Sequence, residues 1–159
     1  MLRRGLTQVL DAMKLKCIGR DKLEREFDLC VKVTFEGYPR FIVTHESTSH
    51  EFFELVLKPL DDGSHMVMMI NAHGVYGGTG IPDALIPFAA NHLSTEIRSS
   101  PARSKDGNYW RTPAATKVWE RLVAAGKAKY NKQTDIYRVA KQFNQDDAAS
   151  RRGLFSGVE

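Results

Sequence analysis

Cysteine is scarce in this chain of 159 residues, which contains only Cys17 and Cys30. The two form no CxxC or other metal-ligand spacing, so the sequence argues against a disulfide scaffold and a cysteine-rich zinc site. Its five histidines include no HExxH pair, the signature of many zinc hydrolases. We therefore expect free thiols in a reducing compartment and no bound metal.

Long hydrophobic runs are also missing. No stretch approaches the roughly 20 apolar residues that span a bilayer, and residues 1–16 lack the apolar core and cleavage site of a signal peptide. We therefore expect a cytoplasmic protein. Because no repeat or linker is visible, residues 1–140 are predicted to form one domain, followed by a loosely held polar tail at 141–159.

The charge balance is mildly basic. The chain has 23 Lys and Arg against 19 Asp and Glu, and its isoelectric point is near 9.1. Such an excess favours an anionic ligand, but it is too small to indicate nucleic-acid binding by itself. The excess is concentrated locally in Arg98, Arg103, Lys105 and Arg111, against Asp106.

Hydrophobic periodicity predicts the elements of the first half of the chain. Apolar residues at helical spacing between Leu2 and Met13 indicate an amphipathic helix. Residues 27–35 and 40–45 are rich in β-branched and aromatic side chains and flank a turn-prone EGYP, which predicts an antiparallel hairpin. Residues 52–60 alternate as in a half-buried strand, and the nearly continuous apolar run at 65–73 predicts a strand inside a sheet.

The second half alternates helices and strands. One helix is predicted from Ile81 to His92, followed by a short strand at 94–100. Another helix is predicted to begin at Thr112, an N-cap candidate with Pro113 in the first helical position, and to stop at Gly126. Two short strands then form a terminal hairpin.

This order of elements predicts an α/β fold with a mixed, largely antiparallel central sheet flanked by helices. The strand–loop–helix–strand portion implies a crossover between two parallel strands.

A glycine-rich stretch connects the apolar strand to the first of these helices. GVYGGTGIPDALI, residues 74–86, places four glycines within seven residues. Glycines without side chains allow a phosphate to approach the backbone, and a helix N-terminus supplies free N–H groups and a partial positive charge. A glycine-rich turn before a helix is also a common structural connection, so this signal alone leaves both interpretations open.

The same region resembles a known family. MINAHGVYGGTGIPDALIPFA is similar to the cofactor-binding segment of the GNAT acyltransferase superfamily, which commonly reads V-x-P-x-Y-R-G-x-G-I-G-x-x-L-I. RTPAATKVWERLVAAGKAKY is similar to a later helix of that family, N-x-x-A-x-x-L-Y-x-K-L-G-F. In the first segment the matching positions are Tyr76, Gly78, Gly80, Ile81, Leu85 and Ile86.

The resemblance implies a GNAT-like fold and an acyl-CoA-dependent N-acyltransferase, with acetyl-CoA as the acyl donor. The acceptor would be an amine on a small molecule or a protein. The strand before the loop would offer free backbone groups to the pantetheine amides. The cofactor-binding residues implied in this way are Ile70, Ala72, Val75, Tyr76, Gly77, Gly78, Thr79, Gly80 and Ser99.

Amine attack on a thioester needs a base to remove the amine proton. Candidate bases are Glu54 and Glu96 on the neighbouring strands and His73 at the end of the apolar strand. Each could equally be a surface or structural residue. Tyr130 and Tyr137 are possible acids, although strand tyrosines usually serve packing.

Four positions depart from the family pattern. Gly77 stands where the family usually has Arg or Gln, and Pro82, which has no N–H, stands at its last glycine. Trp119 occupies the position of the tyrosine that often protonates the departing CoA thiolate, and Thr112 replaces an asparagine. These departures leave open whether ordinary acetyl transfer is retained.

The alternative interpretation is a catalytically idle GNAT-like binding protein. Its basic loop, residues 98–111, also contains Tyr109 and Trp110, and such a loop could neutralise and stack a nucleic-acid strand or contact a protein partner.

Overall fold

The structure is a computed structural model that describes residues 13–45, 51–72, 74–102 and 110–141. These residues form eight strands and two α-helices. The strands are β1 (Met13–Ile18), β2 (Glu24–Val33), β3 (Pro39–Thr44), β4 (Phe53–Pro59), β5 (His65–Ala72), β6 (Ile97–Arg98), β7 (Lys129–Asn131) and β8 (Ile136–Val139). Helix α1 (Ile81–His92) lies between β5 and β6 in the chain, and α2 (Pro113–Ala124) lies between β6 and β7.

All eight strands belong to one sheet, in the order β1-β2-β3-β4-β5-β6-β8-β7. β5 and β6 run parallel, and every other neighbouring pair is antiparallel. The crossover from β5 through α1 to β6 makes the sheet mixed. The predicted α/β class with a largely antiparallel sheet is therefore confirmed.

The core lies between one face of the sheet and the two helices. Alternate strand residues such as Phe41, Leu55 and Val139 project to this face, because directly paired residues of adjacent strands share a side. From the helices, Leu85 and Trp119 belong to the same buried cluster. We call the opposite side of the sheet the outer face.

The first strand was not predicted. Met13 was expected to end a helix, but it begins β1, which pairs with β2 from Met13↔Leu29 to Ile18↔Glu24. Leu15 and Cys17 are buried while Lys14 and Lys16 are exposed, so the local period is two. The rest of the predicted N-terminal helix lies outside the described residues.

The predicted hairpin is confirmed as β2 and β3, although β2 starts three residues earlier, at Glu24. β4 is also confirmed, but it is not half-buried: all five residues from Phe53 to Leu57 are buried, including those on the outer face. The predicted strand at 94–100 is reduced to the two residues of β6.

Both described helices match their predictions. The Thr112 side chain accepts a hydrogen bond from the amide of Ala115 at 3.1 Å, so it caps α2 as expected. Gly126 follows the helix in the left-handed conformation, with φ +74°. None of the helices in the described ranges is long and apolar enough to cross a bilayer. Residues 142–159, most of the predicted tail, lie outside the description.

Candidate functional site

β5 and β6 separate after a short stretch of pairing. Only His65↔Ile97 and Met66↔Arg98 are paired, while β5 continues for six more residues to Ala72. Within the described residues, no other strand takes the place of β6 beside this part of β5. A gap therefore opens inside the sheet, and β5 has an unpaired edge along it.

A bulge decides which backbone groups face this gap. The His65 amide donates to the Glu96 carbonyl at 2.9 Å, so His65 is directed towards β6. Strand residues alternate in the side to which their N–H and C=O groups point. Between Val56 and Leu57 the pairing with β5 shifts by one residue, which reverses this alternation. Beyond the bulge, Ile70 and Ala72 direct their backbone groups into the gap; the resemblance implies cofactor contacts at the same two residues.

The gap holds a cavity of about 300 Å³. Its wall is mostly apolar, and its polar groups come from the segment that leads into α2. The lining residues are Val67, Met68, Met69, Ile70, Ser100, Trp110, Arg111, Thr112, Ala115 and Trp119. Trp119, in the middle of α2, is buried, whereas Trp110 is 60% exposed. An apolar cleft with a few polar groups is typical of small-molecule sites.

Arg111 fixes the polar side of the cavity. Its guanidinium is buried and donates to the Thr116 hydroxyl at 2.8 Å, to the Ser100 carbonyl at 3.0 Å, and to a carboxylate oxygen of Asp135 at 2.8 Å. It also lies over the Tyr137 ring, 4.9 Å from its centroid. The hydrogen bond from Arg111 is the main reason why the pKa of Asp135 is lowered to about 2. Arg111 therefore joins α2 to the β7–β8 turn and is not free to bind a phosphate.

This role of Arg111 could not be predicted from the sequence. Its partners lie up to 24 residues away in the chain, and no local pattern marks them. The only local signal is its position directly before the N-cap of α2.

Ser99 is fully buried and extends the hydrogen bonding between β6 and β8 by one residue. Its amide donates to the Tyr137 carbonyl at 2.9 Å, and its hydroxyl accepts from the Tyr137 amide at 3.0 Å. The neighbouring Ser100, not Ser99, lines the cavity.

The two candidate tyrosines lie behind the cavity wall. Tyr137 stacks on Trp119 with a centroid distance of 5.9 Å, and Tyr130 lies 4.4 Å from Tyr137. Burial raises the pKa of Tyr137, and the hydrogen bond from Tyr130 to Asp135 is the main cause of the raised pKa of Tyr130. Neither phenol lines the cavity.

The glycine stretch forms a 3₁₀ turn at Gly74–Tyr76 and then a tight turn into α1. Tyr76 is buried. Its hydroxyl donates to the Glu51 carbonyl at 2.9 Å and accepts from the His45 amide at 3.2 Å. The Tyr76 side chain therefore holds the turn against the adjacent ends of β3 and β4, while Val75 beside it is exposed.

Two of the glycines are needed for docking on the β1–β2 turn. Gly80 has φ +81°, and a Cβ there would lie 2.1 Å from the Ile18 carbonyl oxygen. Gly78 has φ +70°, and its carbonyl accepts from the Arg20 amide at 2.9 Å. Tight packing thus explains Gly80, and the positive φ explains Gly78, without any ligand.

The same turn leaves backbone donors available. The amides of Gly78, Gly80, Ile81 and Asp83 donate to no acceptor in the described part of the chain, and Pro82 has no N–H. The Thr79 hydroxyl donates to the Tyr76 carbonyl at 2.6 Å, and the Gly77 amide to the Gly74 carbonyl at 3.1 Å. Free amides at a helix N-terminus favour an anion.

Basic residues lie beside these amides. Arg20 and Lys22 line a cavity of about 370 Å³ together with Gly78 and Gly80. Arg121 is also present, but it is paired with Asp83 at 2.8 Å. The Asp83 carboxylate stands in the first turn of α1 and offsets part of the positive charge there.

The candidate bases are not brought together. Glu54 is buried and paired with Arg40 at 2.6 Å, and Glu96 is paired with Arg98 at 2.9 Å. Neither lines the cavity in the gap. His73 lies outside the described residues.

The basic loop is largely occupied by internal ion pairs where it is described. Besides Glu96, Arg98 contacts Asp62 at 2.6 Å; the pKa of Asp62 is lowered to about 2, mainly by hydrogen bonds from Ser64 and further by Arg98. Arg111 is buried with Asp135. Arg103 and Lys105 lie outside the described residues.

No known protein-family model matches the chain, and no curated protein matches it. Among the described residues, no group of three or more His, Cys, Asp or Glu side chains is placed to hold a metal ion.

Proposed function

We propose that this chain is an acyl-CoA-dependent N-acyltransferase with a GNAT-like fold, which moves an acetyl group from acetyl-CoA to an amine. The observation that carries the proposal is the gap between β5 and β6, into which Ile70 and Ala72 direct their backbone groups and in which Ile70 lines an apolar cavity. An extended acyl-CoA arm carries amides, and an unpaired strand edge can bind such amides as it would bind another strand.

The order of elements supports the proposal. The chain runs from β5 through the glycine turn into α1 and returns in the parallel strand β6, and α2 and a terminal hairpin follow. This is the order that the two segments of resemblance imply.

The glycine turn supports a phosphate site at the end of β5. Four amides there have no acceptor among the described residues, and Arg20 and Lys22 lie on the same side of the turn. A pyrophosphate placed there would accept backbone hydrogen bonds and meet two positive charges. The Asp83 carboxylate opposes this attraction in part, so we expect moderate rather than very tight binding.

The chemistry would be amine attack on the thioester carbonyl carbon, after which the carbon–sulfur bond breaks and the thiolate leaves. The negative charge on the carbonyl oxygen would be stabilised by a backbone amide of β5. Trp119 lines the cavity. In the sequence resemblance it takes the position of the family's tyrosine, but an indole does not donate a proton at neutral pH. The thiolate would therefore leave unprotonated, which is accessible for a thiol whose pKa is about 8–9.

His73 is our candidate for the base. In the chain it directly follows Ala72, the last residue of β5. Glu54 and Glu96 are each held by an arginine and lie outside the cavity lining, so proton removal by either would first require an ion pair to open.

The idle binding protein that uses the basic loop has less support. Two of its four cations, Arg98 and Arg111, have internal carboxylate partners that an external ligand would have to displace.

Calorimetric titration with acetyl-CoA tests the binding step. Gly78→Asp should lower the affinity at least tenfold, because it places a carboxylate beside the free amides. The matched control is Gly63→Asp, which introduces the same residue at another glycine with positive φ, in the β4–β5 turn. Equal affinity of the wild type and Gly78→Asp would remove the phosphate site from this proposal.

Release of free thiol from acetyl-CoA, measured with a panel of amines and peptides, tests the reaction. His73→Gln should lower turnover by about 10²–10⁴-fold with little change in acetyl-CoA affinity. Glu54→Gln and Glu96→Gln should retain most of the activity. Absence of acceptor-dependent thiol release would contradict acyl transfer, whereas normal turnover of His73→Gln would contradict only the choice of base.

A further inference from the structure

A row of basic side chains crosses the outer face of the sheet. Lys58, Met66, Arg98, Arg138 and Lys129 are direct cross-strand neighbours, one on each of β4, β5, β6, β8 and β7. Directly paired residues project to the same side of a sheet. Adjacent strands lie about 4.8 Å apart, so four cations and one methionine form a line about 19 Å long. We call it the basic row.

Part of the basic row is unfavourable for folding. Arg138 faces Arg98 on one side and Lys129 on the other, and like charges directly opposite each other destabilise a sheet. Arg98 is compensated by Asp62 at 2.6 Å and by Glu96 at 2.9 Å. Glu96 lies 3.9 Å from Arg138, so the repulsion that remains is mainly between Arg138 and Lys129. Local repulsion retained in a folded sheet is a feature that a bound anion would relieve.

A groove on the terminal hairpin extends the basic row. Its lining consists of Lys129, Tyr130, Asn131, Lys132 and Arg138; we call it the hairpin groove. It contains three cations and no carboxylate. Within the described part of the chain, Lys129 and Lys132 have no ion pair, and the Nε of Arg138 is buried without a hydrogen-bond partner.

Protection of a sheet edge does not account for this arrangement. Edge strands often carry lysine, which discourages pairing with other sheets, and this explains Lys129 on the edge strand β7. Arg138, however, lies on β8, between β6 and β7. Its unpartnered guanidinium nitrogen needs another explanation.

We infer that the hairpin groove, at one end of the basic row, binds the phosphodiester backbone of single-stranded nucleic acid. Arginine and lysine provide the positive charges for successive phosphates, and the guanidinium of Arg138 matches phosphate geometry. Tyr130 pairs with Tyr137 and projects to the helix side of the sheet, so the cations Lys129, Lys132 and Arg138 supply the contacts of the groove.

This surface is separate from the proposed acyl-CoA site. None of the residues of the hairpin groove lines the cavity between β5 and β6 or the cavity beside the glycine turn. The inference therefore does not depend on acyl transfer, and it is tested with protein that carries no acetyl-CoA.

Fluorescence anisotropy with a labelled 15-nucleotide oligothymidylate measures the binding. If three cations each neutralise one phosphate, the logarithm of affinity should fall with the logarithm of salt concentration with a slope of about −2. Affinity would then drop about 20-fold between 50 and 200 mM salt. Arg138→Gln should reduce the slope to about −1.4.

Matched variants test whether binding depends on this surface or only on the net charge of the protein. Lys129→Gln, Lys132→Gln and Arg138→Gln should each weaken binding, whereas Lys117→Gln, which removes the same charge from the exposed side of α2, should not. Tyr130→Leu, which alters the opposite side of the sheet, should leave the affinity unchanged. Equal affinities of all four charge variants would overturn the inference. The inference would also be overturned if polyglutamate displaced the oligonucleotide as effectively as unlabelled oligothymidylate does, because that would indicate an acidic protein partner.

Discussion

Gly80 lies directly against the backbone of Ile18, so close that a Cβ on Gly80 would be 2.1 Å from the Ile18 carbonyl oxygen. This contact joins the start of α1 to the end of β1. Because a side chain at residue 80 would have to separate the two elements, the glycine is a packing requirement as much as a feature of the turn.

Gly80→Ala should therefore destabilise the protein by more than the strain of a positive φ. Gly126→Ala is the control, because Gly126 has φ +74° and open space around it. We expect a loss of about 1–2 kcal/mol for Gly126→Ala from backbone strain alone and a loss of more than 3 kcal/mol for Gly80→Ala, since the clash adds to that strain. Urea unfolding measures both. Equal losses would show that β1 and the turn move apart at little cost.

Trp119→Ala should lower the free energy of unfolding by about 3–5 kcal/mol, because the indole, in the middle of α2, is buried against Tyr137. Trp110→Ala is the matched control: the Trp110 side chain is mostly exposed, and its removal should change stability by less than about 1 kcal/mol. Chemical denaturation followed by circular dichroism gives both free energies. Similar values for the two variants would contradict the packing of α2 on the sheet.

The ion pair between Arg111 and Asp135 should make stability depend on acid pH. The pKa of Asp135 is lowered to about 2, so its contribution is fully present above about pH 4 and is lost as the pH falls towards 2. Asp135→Asn should cost about 1.5–3 kcal/mol at pH 7, and its difference from the wild type should shrink at pH 2.5.

Asp61→Asn, at an exposed position of the β4–β5 turn, is the control for this measurement. Thermal unfolding at both pH values gives the comparison. A destabilisation of Asp135→Asn that persists unchanged at pH 2.5 would show that the carboxylate charge is not what holds Arg111.

The thiol of Cys17 should be inert in the folded protein. Burial is the main cause that raises its pKa to about 11, and Asp83 adds to the effect. At pH 8 only about one part in a thousand would be thiolate, the reactive form. The Cys30→Ser variant should therefore not react with Ellman's reagent until it is denatured. Rapid reaction of this variant under native conditions would contradict the burial of β1.

Local signals in the sequence were enough to predict much of the fold. The β2–β3 hairpin and α2 follow from features within a few residues, such as the Thr112 cap and the Gly126 stop. β1 was missed, because Leu15 and Cys17 offer only two core positions and a helical pattern runs up to Met13. Short alternation of that kind is weak evidence against a longer helical pattern.

The candidate site was less predictable, because its features are not local. The separation of β5 from β6 depends on where pairing stops, and an apolar run such as that of β5 gives no sign of it. The glycine turn was visible in the sequence, but the contact that requires Gly80 comes from Ile18, far away in the chain. The like-charged neighbours of Arg138 became apparent only with the strand register.

The bulge in β5 has a consequence for how this chain is aligned with other sequences. The bulge reverses the alternation of side-chain directions along β5. A strand with regular alternation can therefore be aligned with the residues before the bulge or with those after it, but not with both. An alignment without a gap near Met68 would therefore place the glycine turn one residue away from its structural counterpart in a protein with a regular strand. A gap of one residue at the bulge restores both halves.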